Sequence, residues 1–261
     1  LNFVFRKLPN RVEFAGVTIP IDNFDLRERL DKELIVNTFY HSSTIQSFKR
    51  ANRYFKQISG ILMEEGVPDD FKYLCLIESG LTQATSPSGA KGFWQFMPAT
   101  AKEYDLVVNS EIDERLHIER STRAACSYLK DANRTFDDWV LTAASYNRGV
   151  NGTKNDLESQ HVKDYFDLNL NNETSRYVFR IIALKIIFET PEAYGFNPDA
   201  MELYEPIETE TKVVDESITD LALWSVQNGT TLRMVKLLNP WIRLNKLTIK
   251  DKELEIALPK I

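Results

Sequence analysis

Residues 71–101, FKYLCLIESGLTQATSPSGAKGFWQFMPATA, decide the fold and hold the first candidate for chemistry. Phe71, Leu74 and Cys75 fall at positions i, i+3 and i+4, the spacing of a helical stripe that faces a core. The next position on this stripe is Glu78. A carboxylate on the apolar face of a buried helix is costly unless it has a partner or a chemical task. Glu78 is therefore the first candidate functional residue, although taken alone it is equally typical of a buried ion pair.

The composition is that of a globular protein, and the length of 261 residues favours two domains. Hydrophobic residues make up 43% of the chain and charged residues 27%, which is ordinary for a protein with a packed core. The net charge is -6 and the sequence contains no dense run of lysine and arginine. This charge argues against nucleic acid and against an anionic membrane surface as the main partner.

The cysteines and histidines give no sign of a metal site or a cofactor. Cys75 and Cys126 lie far apart on predicted helices, and His41, His117 and His161 are scattered along the chain. A protein of this size needs no disulfide for stability, so we predict two buried thiols, with a single bridge between them as the alternative.

The sequence contains no signal peptide and no apolar run of transmembrane length. The chain begins at Leu1 without an initiator methionine. We expect any targeting segment, and any membrane or lipid anchor, to lie outside this sequence. The oligomeric state is left open.

A continuous helical pattern without a strand repeat covers residues 24–190, so we predict an all-helical body. The predicted helices start at about residue 24, at residues 42–44, at Pro68, at Pro98, at Ser121, at Asp137 and at Thr174, and the last one ends before Pro191. In the second helix a charged face, interpreted as solvated, carries Lys49, Arg50, Arg53 and Lys56. Residues 148–172 are polar and rich in asparagine, and we expect a lid-like loop there.

The composition changes after residue 195, which predicts a second domain. Two short helical patterns are flanked by strand-like segments near Val213 and at residues 254–258, giving a βααβ order. The predicted organisation is an N-terminal arm and helix packed on the catalytic domain (1–43), the catalytic domain (44–198), a linker (199–211) and a small C-terminal domain (212–261).

Four motifs in the helical body resemble, in order, those of the soluble lytic transglycosylase domain, whose fold is similar to goose-type lysozyme. The motifs are Glu78-Ser79 with SPSGAKGFWQFMP at residues 86–98, STRAACSYL at 121–129, ASYNRG at 144–149 and ETSRYV at 173–178. This resemblance implies a mainly α fold with a lysozyme-like catalytic domain. Gln95 follows Glu78 one residue sooner than in the family pattern, and Ser145 stands where alanine is usual.

The resemblance implies a role for each residue that matches a family motif. Glu78 matches the single catalytic acid. The matching residues of the sugar-binding cleft are Ser86, Gln95, Met97, Tyr146, Asn147 and Tyr177. For Tyr146 and Tyr177 a purely structural place in the core is the alternative.

The activity that the resemblance implies is cleavage of the MurNAc-β-1,4-GlcNAc bond of peptidoglycan with formation of 1,6-anhydro-MurNAc ends. Such an enzyme needs no metal or cofactor, binds glycan strands and acts in the bacterial periplasm or cell envelope. An acid must protonate the leaving oxygen, and a glutamate near its reference pKa of ~4.3 is mostly ionised at neutral pH. Burial on the apolar stripe would raise the pKa of Glu78.

Two other function classes are alternatives. A lysozyme-like muramidase would hydrolyse the same bond with water, usually with a second carboxylate. Asp69 and Asp70 lie at the far end of the Glu78 helix and Glu103 lies beyond Gln95, so Glu173 is the one serious rival. A non-catalytic peptidoglycan-binding protein is the third class, and the presence of Glu78 argues against it.

The C-terminal region resembles a LysM domain, a βααβ module that binds glycans containing N-acetylglucosamine. Residues 215–218, DESI, stand where GDTL is usual, and residues 238–240 supply the familiar LNP. Binding of glycan and a purely structural role are both open for this domain.

Overall fold

A short hairpin precedes the helical body in the computed structural model, which describes residues 8–249 and 253–260. Strands β1 (Glu13–Phe14) and β2 (Val17–Thr18) pair antiparallel. The Phe14 side chain is fully buried, and its ring lies 5.5 Å from the ring of Phe71. The described part of the predicted N-terminal arm therefore packs on the helical body, while residues 1–7 of that arm lie outside the described residues.

Eight α-helices make up the body. They are α1 (Phe24–Phe39), α2 (His41–Glu64), α3 (Phe71–Ser79), α4 (Pro98–Glu103), α5 (Ile118–Phe136), α6 (Trp139–Arg148), α7 (Val150–Gln160) and α8 (Asn172–Glu189). Short 3-10 turns lie at Glu114–Leu116, Tyr165–Asp167, Pro191–Tyr194 and Pro198–Ala200. The predicted mainly α fold is confirmed. Among the described residues, no helix has the length and apolarity needed to cross a membrane.

Helix α3 lies at the centre of the body, in contact with α2 and α8. Its apolar stripe is buried as predicted, with Phe71, Leu74 and Cys75 fully inaccessible to solvent. The helix ends at Gly80, whose φ of 61° lies in the left-handed region that glycine adopts without strain. The Arg50 side chain on α2 donates a hydrogen bond to the Gly80 carbonyl oxygen. This arrangement fixes the last turn of α3, which carries Glu78.

Residues 148–172 are not a loop, so that prediction is wrong. Most of this stretch is helical, with α7 and the 3-10 turn Tyr165–Asp167 joined by short connections at residues 161–164 and 168–171. Among the side chains of α7 only Thr153 is buried, and its hydroxyl donates to the Gly149 carbonyl oxygen at 3.1 Å. A short helix with a single buried position has no apolar stripe, so its sequence resembles that of a loop.

Five predicted helix starts are also shifted, and two of these are the starts of α3, at Phe71, and of α6, at Trp139. Helix α2 begins at His41, before residues 42–44. Helix α5 begins at Ile118 because the His117 side chain, and not Ser121, caps it by accepting a hydrogen bond from the Arg120 amide. Helix α8 is capped by Asn171 instead of Thr174, through a 3.0 Å hydrogen bond from the Thr174 amide.

The C-terminal region has the predicted βααβ order. Its elements are β3 (Thr209–Val214), α9 (Leu221–Gln227), α10 (Leu232–Leu238) and β4 (Leu254–Pro259). Strands β3 and β4 pair antiparallel from Thr209↔Pro259 to Val214↔Leu254. The region has a hydrophobic core of its own. Leu116 of the helical body is part of this core, and Ile112 packs against it.

The segment between the two regions packs back on α2. The Tyr204 amide donates to the Lys49 carbonyl oxygen at 3.3 Å, and the Arg53 Nε donates to the Glu205 carbonyl oxygen at 2.9 Å. The ammonium of Lys49 and the guanidinium of Arg53 each lie 5.2 Å from the centre of the Tyr204 ring. Together with Arg50, they show that the charged face of α2 binds protein groups and is not simply solvated.

Candidate active site

Glu78 and Tyr177 meet between α3 and α8. Glu78 lies half-buried on the last turn of α3, and Tyr177 on α8 is only 2% exposed. The Tyr177 hydroxyl donates a hydrogen bond to Glu78 Oε1. Two motifs that lie about a hundred residues apart in the sequence thus form one site.

The surroundings of Glu78 favour the protonated acid. Burial raises the pKa of Glu78, and the negative charge of Glu173 raises it further. The hydrogen bond from Tyr177 and the positive charge of Arg180 lower the pKa, but the net shift is upward. A carboxyl group with a raised pKa and a hydrogen-bond donor for its ionised form can give a proton and take one back within a reaction cycle.

The two tyrosines of the site remain protonated. Burial and the charge of Glu78 raise the pKa of both Tyr146 and Tyr177 well above the ordinary value for a phenol. Each phenol is therefore a hydrogen-bond donor. Tyr177 donates to the carboxylate, whereas Tyr146 donates to the carbonyl oxygen of Trp94 at 2.7 Å.

Asn147 lies at the end of α6, beside the first turn of α8. Its amide nitrogen donates to Glu173 Oε1 at 3.4 Å, and its amide oxygen accepts from the Thr174 hydroxyl at 3.0 Å. The start of α6 is fixed by Asp138, whose carboxylate accepts hydrogen bonds from the amides of Val140 and Leu141. Both polar atoms of the Asn147 side chain thus bind α8 and hold Glu173 beside the site.

The remaining predicted residues lie on or beside the loop of residues 84–96. The hydroxyl oxygen of Ser86 accepts a hydrogen bond from the Ala90 amide at 3.0 Å, which closes a tight turn. The Gln95 side chain donates to the carbonyl oxygens of Ala84 at 3.1 Å and Gly92 at 2.8 Å. Gln95 itself has a φ of 49°, which is unusual for a residue with a side chain.

The structure brings the predicted residues together to different degrees. Tyr177 contacts Glu78 directly, and Tyr146 lies close enough for the Glu78 charge to raise its pKa. Ser86 and Gln95 make hydrogen bonds with the backbone of their own loop. Met97 precedes α4 and is 42% exposed, so its side chain is available to a ligand.

Sequence reasoning missed Arg180 and the role of Arg50. Arg180 follows Tyr177 by three residues, a spacing that places both side chains on one face of α8, and this spacing could have identified it. Arg50 donates to the Gly80 carbonyl oxygen just after Glu78. A backbone acceptor has no signature in the sequence, so Arg50 carried no comparable signal.

The cysteines take no part in the site chemistry. Cys75 and Cys126 are free and fully buried, as predicted for two thiols. Burial raises the pKa of both thiols, to about 12 for Cys126, so neither is a reactive thiolate. Within residues 8–249 and 253–260, no cluster of His, Cys, Asp and Glu side chains could hold a metal ion.

Comparison with known protein families identifies the two regions. Residues 58–169 match the transglycosylase SLT domain, and residues 210–261 match the soluble lytic transglycosylase C-terminal LysM-like domain. The chain therefore contains an SLT domain followed by a LysM-like domain, as the motifs predicted. The SLT match contains Glu78, Tyr146 and Asn147, and Tyr177 lies beyond its end.

Among curated proteins, the chain is similar to membrane-bound lytic murein transglycosylase D. It is 31% identical to this protein from Escherichia coli K12 over 180 residues, which are 67% of this chain and 39% of the relative. The same values hold for the protein from Escherichia coli O6:H1. The chain thus spans about two fifths of the length of the curated relatives it matches.

Among solved structures, that of an inactive mutant of the lytic transglycosylase Slt from Pseudomonas aeruginosa aligns with part of the chain. The alignment covers 54% of this chain and 24% of the other, with 17% identity and a TM-score of 0.42. A similarity at this level carries no information about function.

Proposed function

We propose that the protein is a peptidoglycan lytic transglycosylase. It cleaves the MurNAc-β-1,4-GlcNAc bond and leaves 1,6-anhydro-MurNAc ends, with Glu78 as the single general acid and base. The observation that carries this proposal is the half-buried Glu78 carboxyl, which has a raised pKa and accepts a hydrogen bond from Tyr177. The SLT domain and the names of the curated relatives support the same activity.

In the first step Glu78 is protonated and gives its proton to the glycosidic oxygen as the bond to the anomeric carbon breaks. The Tyr177 phenol then stabilises the new carboxylate by its hydrogen bond. In the second step the carboxylate takes the proton of the MurNAc 6-hydroxyl, and that oxygen bonds to the anomeric carbon. The intramolecular hydroxyl competes with water because binding holds it beside the reacting carbon. Glu78 is protonated again at the end, and no water is consumed.

A specific observation supports the water-using muramidase as the second candidate. Glu173 is close enough to Glu78 to raise its pKa, and Asn147 holds the Glu173 side chain by a hydrogen bond. A second carboxylate beside the acid is what hydrolysis with inversion or retention uses. Glu173 is exposed, however, whereas Tyr177 is the group in direct contact with Glu78.

Replacement of Glu78 by glutamine tests the proposed role. Glu78→Gln keeps the shape of the side chain but cannot cycle a proton, so activity on purified sacculi should fall by ~10²–10⁴-fold, the usual contribution of general acid–base catalysis. The loss of turbidity of a sacculus suspension measures the rate. Glu103→Gln, which changes an exposed carboxylate on α4, is the matched control and should retain full activity. Near-native activity of Glu78→Gln would remove Glu78 from the mechanism.

We further propose that residues 44–198 form the catalytic domain, that residues 199–211 link it to the C-terminal domain, and that residues 212–261 bind glycan. The similarity to a membrane-bound murein transglycosylase supports a place in the bacterial cell envelope, with peptidoglycan glycan strands as the partner. A cavity of about 360 Å³ in the C-terminal domain supports glycan binding, and its wall includes Leu223 and Trp224.

Binding of full-length protein to insoluble peptidoglycan tests this role of the C-terminal domain. Leu223→Asp, made in the Glu78→Gln background to prevent cleavage, places a charge on the cavity wall and should lower the bound fraction. Val226→Asp is the matched control, because Val226 lies on the same helix, is 67% exposed and does not line the cavity. Equal binding of both variants and of the parent would leave this domain with a structural role only.

A further inference from the structure

Residues 109–117, here called the bridging segment, contact the substrate loop of residues 84–96 on one side and the C-terminal domain on the other. Two 3%-exposed residues, Asp113 and Arg115, form its centre. The Arg115 Nε and Nη2 atoms donate to the two Asp113 carboxylate oxygens, each at 2.8 Å. This paired geometry fixes the plane of the guanidinium and leaves its remaining nitrogen free to bind other groups.

On the inner side, Arg115 holds the middle and the C-terminal end of the substrate loop. Its Nη1 atom donates to the carbonyl oxygens of Gly89 at 2.9 Å and Phe96 at 3.0 Å. Lys91 adds an ion pair with Asp113 at 3.3 Å. The backbones also touch, because a Cβ atom on Gly92 would lie 1.9 Å from the Arg115 carbonyl oxygen.

The other contacts of the substrate loop lie in the main hydrophobic core, where Phe93, Trp94 and Phe96 are buried, and beside the candidate active site. The Trp94 carbonyl oxygen accepts the Tyr146 hydrogen bond, and the Trp94 indole donates to the Thr122 hydroxyl at 2.9 Å. Ser86 and Gln95 bind only the backbone of the loop among the described residues. Their positions in the cleft therefore follow the backbone of the loop, which Arg115 holds at Gly89 and Phe96.

On the outer side, the C-terminal domain holds the bridging segment. The Asp113 amide donates to the Trp241 carbonyl oxygen at 2.9 Å, and the Arg243 amide donates to the Glu111 carbonyl oxygen at 2.7 Å. The Glu111 carboxylate accepts from the Thr248 amide at 2.9 Å and pairs with Lys246 at 3.0 Å. Leu116 is buried in the core of the C-terminal domain.

We propose that the C-terminal domain sets the affinity of the Glu78 site for glycan by holding the bridging segment, with Asp113 and Arg115 as positioning residues for the substrate loop. This inference rests on the proposed function, because it assigns the loop to the substrate cleft. Arg115, which binds Gly89 and Phe96 on the inner side, is paired with Asp113. The Asp113 amide and Glu111 in turn bind the C-terminal domain on the outer side. A change at the outer surface should therefore reach the cleft without altering Glu78 or Tyr177.

Glu111→Ala in the full chain tests the proposal, since it removes the contacts with Thr248 and Lys246 and leaves the buried pair intact. We expect the KM for soluble glycan fragments to rise roughly threefold to tenfold, the effect of one lost hydrogen bond, with kcat unchanged. Hydrogen exchange of the amides in residues 84–96 should become faster. Glu208→Ala is the matched control, because Glu208 lies in the linker and pairs with Lys260, away from the bridging segment.

A second variant, Arg115→Lys, keeps the charge beside Asp113 but cannot reproduce the planar set of donors to the loop. It should raise KM and speed up exchange in residues 84–96 more than Glu111→Ala does. If the KM and the amide exchange are unchanged in both variants, the inference is wrong. Cleavage of glycan by the wild-type protein in the same experiment would still uphold the proposed function. If the wild-type protein cleaved no glycan, the proposed function would fail, and the exchange comparison would still decide whether the C-terminal domain holds the loop.

Discussion

Glu78 and Asp113 are carboxylates in the interior of the same body, yet their surroundings have opposite effects. Burial and Glu173 raise the pKa of Glu78, whose direct partner is the neutral phenol of Tyr177. Burial also acts to raise the pKa of Asp113, but the hydrogen bonds and charges of Arg115 and Lys91 outweigh it and hold the pKa below its ordinary value. A buried carboxylate with a neutral donor can exchange a proton, whereas one paired with cations remains ionised and stabilises structure.

The largest effect on stability should follow from breaking the paired cluster. Arg115→Met leaves the Asp113 charge buried without its main partner, so the free energy of unfolding should fall by about 3–5 kcal/mol. Urea denaturation measures this loss. Adding Asp113→Asn to Arg115→Met should restore part of the stability, because the uncompensated charge is removed. A loss below about 1 kcal/mol for Arg115→Met would show that the cluster does not stabilise the bridging segment.

The free energy of unfolding of Glu78→Gln, measured by the same urea denaturation, tests the opposite prediction for the Glu78 carboxyl. Because the folded-state pKa of Glu78 is raised, ionising Glu78 opposes folding at a pH above that value. The glutamine variant should therefore be at least as stable as the wild type at neutral pH. Its advantage should vanish as the pH falls below the unfolded pKa of ~4.3, where Glu78 is protonated in both states.

A smaller effect is expected from the partner of Glu78. Tyr177→Phe removes the hydrogen bond that stabilises the ionised carboxylate, so activity should fall by about 10–100-fold. The same hydrogen bond lowers the pKa of Glu78, so the alkaline limb of the pH–rate profile should move to higher pH. Tyr128→Phe is the control, because Tyr128 donates to the Ser145 carbonyl oxygen and not to Glu78. An unmoved pH profile for Tyr177→Phe would assign Tyr177 to the core alone.

The sequence predicted the Glu78 site better than it predicted the bridging segment. Glu78 and Tyr177 lie on helices with clear apolar stripes, and each belongs to a motif of fixed spacing. Arg115 instead binds the backbone carbonyl oxygens of Gly89 and Phe96, which are 26 and 19 residues away in sequence. Any residue supplies such an acceptor, so neither periodicity nor composition reveals the contact.

Two of the wrong predictions in the helical body also concern features without a hydrophobic pattern in the sequence. Helix α7 has one buried residue and therefore no hydrophobic period. The charged face of α2 has the periodicity of a solvated surface, but Arg53 binds a carbonyl oxygen 152 residues away. A contact between a side chain and a distant main-chain carbonyl oxygen can be identified only once the fold is known.

The origin of the oxygen in the product tests the central claim, that Glu78 directs an intramolecular hydroxyl to the anomeric carbon. Peptidoglycan digested by the wild-type protein in ¹⁸O-water is analysed by mass spectrometry of the released muropeptides. The proposed mechanism predicts 1,6-anhydro-MurNAc ends that carry no ¹⁸O and weigh one water less than the products of hydrolysis. Labelled reducing ends as the main products would contradict the mechanism and favour hydrolysis with Glu173 as the second carboxylate.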